Sequence, residues 1–228
     1  MGLCAPLLGV AVVAVGVSVA HAGSVRLEAD QVTLNNTLSN PTFNSVSFRQ
    51  SYFEAPLIFA TATTPGGQPA ALQVRDVTTS GFEITIKEPP TQDGGHLSMT
   101  IDYFAIEPGQ LDVSGLLFEA GRNSTTTTVQ NSGAFGSGGG HDTVNFDSNF
   151  GAAPAVLGQI QTQNNEANNV PDENSSPWMT TSVDNVTSTG ADLALERAEV
   201  NDGSSVSVDE EIGFAAISDG RGTLTDNA

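Results

Sequence analysis

"VSFRQSYFEAP", Val46 to Pro56, returns further along the chain as "VNFDSNFGAAP", Val144 to Pro154, with Val, Phe, an aromatic residue and Pro at the same spacing. Each stretch reads as a strand, a short loop and a proline that opens the next strand. The recurrence extends to both sides. "RLEA" (Arg26 to Ala29) precedes the first stretch and "LFEA" (Leu117 to Ala120) the second. "VRDVTTSGFEI" follows the one, and "VDNVTSTGADL" (Val183 to Leu193) the other. "TIDYFAI", ending at Ile106, and "EIGFAAI", ending at Ile217, close the pair. The chain therefore carries one domain-sized unit twice.

The local pattern gives the fold class. No sustained helical stripe of apolar residues occurs beyond the N-terminal segment, whereas alternation by two is frequent. "GFEITIKE" sets Phe82, Ile84 and Ile86 on one face, and "HLSMTIDYFAI" does the same with Leu97, Met99, Ile101, Tyr103 and Ala105. Such segments form half-buried antiparallel strands. Turn clusters such as "TTSG", "PPTQDGG" and "TTPGGQP" separate them. The expected fold is all-β: two tandem antiparallel β-sandwiches of about six strands each, over 23–109 and 110–228. The glycine of each V-T-x-x-G is expected to take the positive φ of a tight hairpin. One residue breaks the rhythm: Glu210 falls in phase with Val206, Val208, Ile212, Phe214 and Ala216. A bulge would return it to solvent. The alternative is a buried carboxylate that needs a partner, with Arg197 as the candidate.

The N-terminal segment "LLGVAVVAVGVSVAHA" ends in Ala20-His21-Ala22 and reads as a secretory signal peptide over residues 1–22, removed after Ala22. No membrane insertion is expected after cleavage. The single cysteine, Cys4, falls inside this segment, so the mature chain is expected to hold no disulfide. Asp and Glu number 26 against 7 Lys and Arg, giving a net charge of −19. Such a surface repels nucleic acid and anionic membranes.

The pattern V-x-F-x-x-x-Y/F-x-x-x-P, then V-x-x-x-G-F, then M-x-I-x-aromatic-x-x-I resembles the H-type lectin domain. It is carried by Val46, Phe48, Tyr52, Pro56, Val77, Gly81, Phe82, Met99, Ile101, Tyr103 and Ile106. The second copy matches through Val144, Phe146, Phe150, Pro154, Val186, Gly190, Ile212, Phe214 and Ile217. The duplicated form, with "PWMTTSVDNVTSTG" and "ALERAE", also looks like repeats of bacterial surface proteins of the MshQ type, encoded with mannose-sensitive haemagglutinin pili. The resemblance implies a six-stranded sandwich, a tendency to self-associate, and carbohydrate binding at the surface of a Gram-negative cell. A glycan, or a pilus or matrix component, would be the partner. The matching positions are core and turn positions. The arginine and the Trp-His pair with which the family contacts its sugar have no counterpart here.

Candidate chemistry concentrates in one insertion. Trp178, the only tryptophan, follows "NNEANNVPDENSSP" (Asn164 to Pro177). A tryptophan at a loop–strand junction can stack on the C–H face of a sugar or cover the end of a core. Asn164, Asn165 and Asn174 supply amides for a ligand, and Glu166, Asp172 and Glu173 supply oxygens of the kind calcium takes. No other cofactor is expected. His96 and His141 lie in different copies, without zinc spacing. "GSGGGHD" reads as a mobile loop, and no G-x-S-x-G elbow supports a hydrolase. The chain is read as a binding module of the cell surface and not as an enzyme. A structural spacer is the rival reading, and a hydrolase with an unrecognised site the third.

Overall fold

The computed structural model describes residues 25–34, 43–64, 70–88, 97–129, 139–165, 178–197 and 206–221. These hold thirteen strands and no helix. Strands β1 (Leu27–Leu34), β2 (Asn44–Ser47), β3 (Leu57–Ala62), β4 (Ala71–Arg75), β5 (Gly81–Lys87) and β6 (Met99–Ile106) build the first copy. They form two three-stranded antiparallel sheets, β1-β6-β3 and β2-β5-β4. The second copy follows with β7 (Gly109–Val113), β8 (Leu116–Thr125), β9 (Asp142–Asn145), β10 (Ala155–Ile160), β11 (Met179–Thr187), β12 (Gly190–Arg197) and β13 (Glu210–Ile217). Its sheets are β10-β13-β8-β7 and β11-β12-β9. The extra strand β7 forms a hairpin with β8. The signal-peptide segment lies outside the described residues. Among those residues no helix is long and apolar enough to cross a membrane.

The alternation places each core between its two sheets. Ile84, Ile101, Tyr103 and Ala105 meet Phe48, Tyr52 and Phe82 in the first copy. Leu193, Leu195, Ile212 and Ala216 meet Phe146 and Phe150 in the second. In both copies an edge-to-face aromatic pair sits beneath the loop before the proline: Phe48 with Tyr52, and Phe146 with Phe150. Two expected inward positions lie outside the strands. Leu97 precedes β6 and is 62% exposed, and Val208 precedes β13 and is 51% exposed. On β5, Thr85 and Lys87 are buried as well as the expected apolar face, so both sides of that strand are covered at its end.

The "E" of the two lead-ins has a structural task. Glu28 is buried and accepts hydrogen bonds from the Arg49 N–H (3.0 Å) and the Tyr103 hydroxyl (2.7 Å). Its counterpart Glu119 accepts from the N–H groups of Asp147 (2.8 Å) and Ser148 (2.6 Å). Each carboxylate thus fastens the loop inside the repeated stretch to the strand before it, β1 or β8, which satisfies loop donors that burial would otherwise strand.

The hairpin glycines differ from expectation. Gly81 and Gly190 do not have positive φ; that conformation falls to Asp76 (φ 49°) and Asn185 (φ 47°), residues that tolerate it. The glycines are required by close backbone approach. A Cβ on Gly81 would lie 2.3 Å from the Val46 carbonyl oxygen, and one on Gly190 would lie 2.4 Å from that of Val144.

The two copies dock on each other. Leu57, Phe59 and Ile106 of the first copy pack on Ala120 and Ala215 of the second. Large side chains come from one copy and small ones from the other, and Gly213 leaves room for Leu57, whose Cδ2 would be 3.0 Å from an added Cβ.

Candidate functional site

Edge strands β3 and β10 meet at the joint between the copies. An edge exposes main-chain groups that invite pairing with other chains. Here the carboxamide of Gln161 acts as a surrogate peptide. Its Oε1 accepts from the Ile58 N–H and its Nε2 donates to the Ile58 carbonyl, both at 2.8 Å. Gln161 and Ile58 are both buried. Two further amides cross the joint: Gln159 donates to the Leu72 carbonyl (3.2 Å), and Gln163 donates to Gln73 Oε1 (3.3 Å).

Trp178 sits at the same joint, immediately before β11. Its indole N–H donates to the Lys87 carbonyl of the first copy (2.9 Å), and the side chain is half-buried. Beside it opens a cleft of about 330 Å³ walled by both copies: β3 and β4 from one, β10 and the start of β11 from the other. The lining is hydroxyl, amide and apolar groups, with Thr61, Gln73, Gln159, Thr162 and Thr181 among the polar ones. Thr181 Oγ1 is buried without a hydrogen-bond partner among the described residues. Sequence reading singled out Trp178 but missed the rest. Threonine and glutamine carry no distinctive spacing, and a composite cleft appears only once two distant segments are docked.

Asn164 and Asn165 stand just past β10, where they knot that segment to the start of β13. Glu210 is the centre of the knot. The β8–β13 register runs through it without interruption, Glu210 opposite Thr125. There is no bulge, and the side chain is fully buried. Its Oε1 accepts from the N–H groups of Asn164 and Asn165 (2.8 Å each) and from Asn165 Nδ2 (2.7 Å), and its Oε2 accepts from the Thr162 hydroxyl. These donors, and not Arg197, are what the structure sets against the buried carboxylate. Asn164 Nδ2 donates to the Asp209 carbonyl (2.7 Å), and Asn165 Oδ1 accepts from the N–H groups of Ser207 (2.8 Å) and Val208 (3.0 Å). Both asparagine side chains are engaged within the fold. Asn174, Glu166, Asp172 and Glu173 lie outside the described residues, as does His96.

Other polar constellations lead to no cleft chemistry. His141 Nε2 lies 3.5 Å from Ser182 Oγ, beyond good hydrogen-bond length. Burial raises the Asp142 carboxyl, but hydrogen bonds from Thr125, Thr127 and Asn123 outweigh it and hold it below the usual range. Asp192 is held low by hydrogen bonds from Thr143 and Asn185. A second cavity, about 350 Å³, lies by Arg122, Asn145 and Asp147. Arg122 there is already paired with Glu211 at 3.0 Å and donates to the Ala55 carbonyl. Among the described residues no three His, Cys, Asp or Glu side chains gather as a metal site. Compared with known protein families, characterised proteins and solved structures, the chain matches none.

Proposed function

We propose that the chain is an exported binding module of the cell surface, and that its ligand is a carbohydrate taken in the cleft between the two copies. One observation carries the reading: Trp178 lines a cleft whose other polar groups are hydroxyls and amides. A flat indole against hydroxyl-rich surroundings suits a sugar, which offers an apolar C–H face and a rim of hydrogen-bonding groups. The resemblance to H-type lectin domains, and to surface repeats encoded with haemagglutinin pili, points to the same class of partner. It also makes a pilus or matrix glycan, or a second copy of the chain, a natural companion. A hydrolase would need paired carboxylates at the cleft, and its described lining contains none. Calcium, held by Glu166, Asp172 and Glu173, belongs to the proposal as an aid to binding.

The joint favours a second reading. Gln161 and Trp178 clasp the first copy, as a rigid spacer would require. A glycan array decides between them, run on residues 23–228 with and without calcium, beside Trp178→Ala. Binding that is lost in the variant supports the carbohydrate reading, and calcium dependence would implicate the acidic insertion. Silence under both conditions favours the spacer.

A further inference from the structure

Main-chain groups, not only side chains, face the cleft. The Thr63 N–H donates to the Thr100 carbonyl, continuing the β3–β6 ladder. Hydrogen-bonded and free residues alternate in an antiparallel pair, so Ala60 and Ala62 turn their N–H and C=O groups to the open edge. The same argument applies to β10, where the Gln161 N–H donates to the Glu211 carbonyl. Gly158 and Ile160 therefore turn theirs outward. All four residues line the cleft, and both strands are sheet edges.

The cleft is also neutral in a strongly acidic chain. None of its described lining side chains is ionisable, while the net charge is −19. The seven cationic residues are placed elsewhere. Arg49 pairs with Asp30, Arg75 with Glu83 and Arg122 with Glu211. Arg26 donates to the Ser51 carbonyl and lies over Phe53. Lys87 and Arg197 are buried, and Arg221 lies beyond β13. An anion entering the cleft would meet no cation among its described lining side chains, inside a field that repels it.

We propose that the cleft selects uncharged saccharides over acidic ones, reading their hydroxyls with the two facing strand edges. The proposal rests on the carbohydrate reading above and adds the ligand class and the groups that recognise it. An edge offers donors and acceptors in turn, which suits a hydroxyl that both donates and accepts.

The test is calorimetric titration of the whole exported chain with paired oligosaccharides. Neutral hexose and N-acetylhexosamine oligomers are compared with the same oligomers bearing a uronate or sulfate. The proposal expects the neutral members to bind, and their acidic counterparts to bind about tenfold or more weakly at low salt, with the gap shrinking as salt screens the field. Thr61→Lys, at an exposed lining position, should narrow the gap by favouring the acidic members. Equal or tighter binding of the acidic members overturns the selectivity and leaves the carbohydrate reading standing. Binding that neither Thr61→Lys nor Trp178→Ala alters places the ligand elsewhere and overturns the assignment of the cleft. Failure of every member to bind overturns the carbohydrate reading and the proposal with it.

Discussion

In the first copy Leu34 faces Met99 across the β1–β6 ladder; at the same place in the second, Thr125 faces Glu210 across β8–β13. The registers around these pairs agree strand for strand, Leu27 opposite Ile106 and Phe118 opposite Ile217. The loop clamps agree too: Glu28 and Glu119 hold equivalent loops. Glu107 and Ser218 each accept an N–H at the start of the matched strands, from Arg26 just before β1 and from Leu117 in β8. What differs clusters at the end of the second copy that faces the first. Glu210 replaces a methionine, and Gln161 stands where the first copy has Thr63. The lesson is that the ladders and loop clamps are held in common, whereas the docked end was rebuilt in polar residues and the core exchanges Tyr52 and Tyr103 for Phe150 and Phe214.

The largest expected effect follows from that rebuilding. Glu210→Met gives the second copy the residue of the first but takes the acceptor from the N–H groups of Asn164 and Asn165, the Asn165 amide and the Thr162 hydroxyl. Hydrogen bonds to a charged group contribute about 1.5–3 kcal/mol each, so the loss should be about 3 kcal/mol or more. Glu210→Gln keeps an acceptor and should cost less. Denaturant unfolding followed by Trp178 fluorescence measures both. Equal stability of the Met variant would mean that the knot is incidental.

Gln161→Ala comes next. It leaves the N–H and C=O of Ile58 buried and unpaired, at about 1–3 kcal/mol for each group. Spectroscopy can localise the damage. Both tyrosines, Tyr52 and Tyr103, lie in the first copy, and the only tryptophan lies at the joint. In the wild type, tyrosine and tryptophan signals should change at one midpoint; in the variant they should separate. Coincident midpoints in the variant would show that apolar packing of Leu57 and Phe59 suffices to couple the copies.

Gly81→Ala and Gly190→Ala test the sameness of the two units. Each Cβ would enter the carbonyl oxygen of a paired strand, so a backbone shift of similar cost is expected, about 1–3 kcal/mol in each copy. Unequal costs would show that the copies differ in rigidity where their geometry agrees.

The fold was legible because alternation and recurrence report it directly. Val46, Phe48, Tyr52 and Pro56 recur because they line one kind of interior. The joint was less legible. Alternation tells which face of a strand meets its own core, and says nothing of a second core on the outer face. One trace was present: Pro56-Leu57-Ile58-Phe59-Ala60 is continuously apolar where a strand with one solvated face would alternate. Glu210 breaks the alternation, and since a carboxylate on an apolar face is costly alone, sequence offers either a bulge or a buried carboxylate partnered by Arg197. Its donors come from a segment more than forty residues away, with |i−j| of 45 to 48. For the candidate site, Trp178 stood out by rarity. The cleft around it depends on docking, and the insertion that drew attention to it holds Asn164 and Asn165 as structural residues.

The smallest effect separates the copies by pH. Burial pushes the hydroxyl of Tyr52 up, and the charges of Glu28 and Glu107 add to it. Burial also raises Tyr103, reinforced by its hydrogen bond to Glu28. The equivalent positions in the second copy are Phe150 and Phe214, which do not titrate. A raised folded-state value favours the protonated form in the native protein. Its stabilisation is fully present below the unfolded tyrosine value of about 10, and is lost as pH rises from there through the higher folded-state values. Stability should therefore hold from neutrality to about pH 10 and fall beyond it, with the tyrosines that cause the fall all in the first copy. Absorbance of tyrosinate during an alkaline titration, compared with Trp178 fluorescence, tests this. Replacing both tyrosines with phenylalanine makes the first copy resemble the second at these positions and should remove the tyrosine contribution to the alkaline limb. If the limb stays unchanged, the loss comes from groups shared by the whole chain, and the two interiors are equivalent in their response to pH.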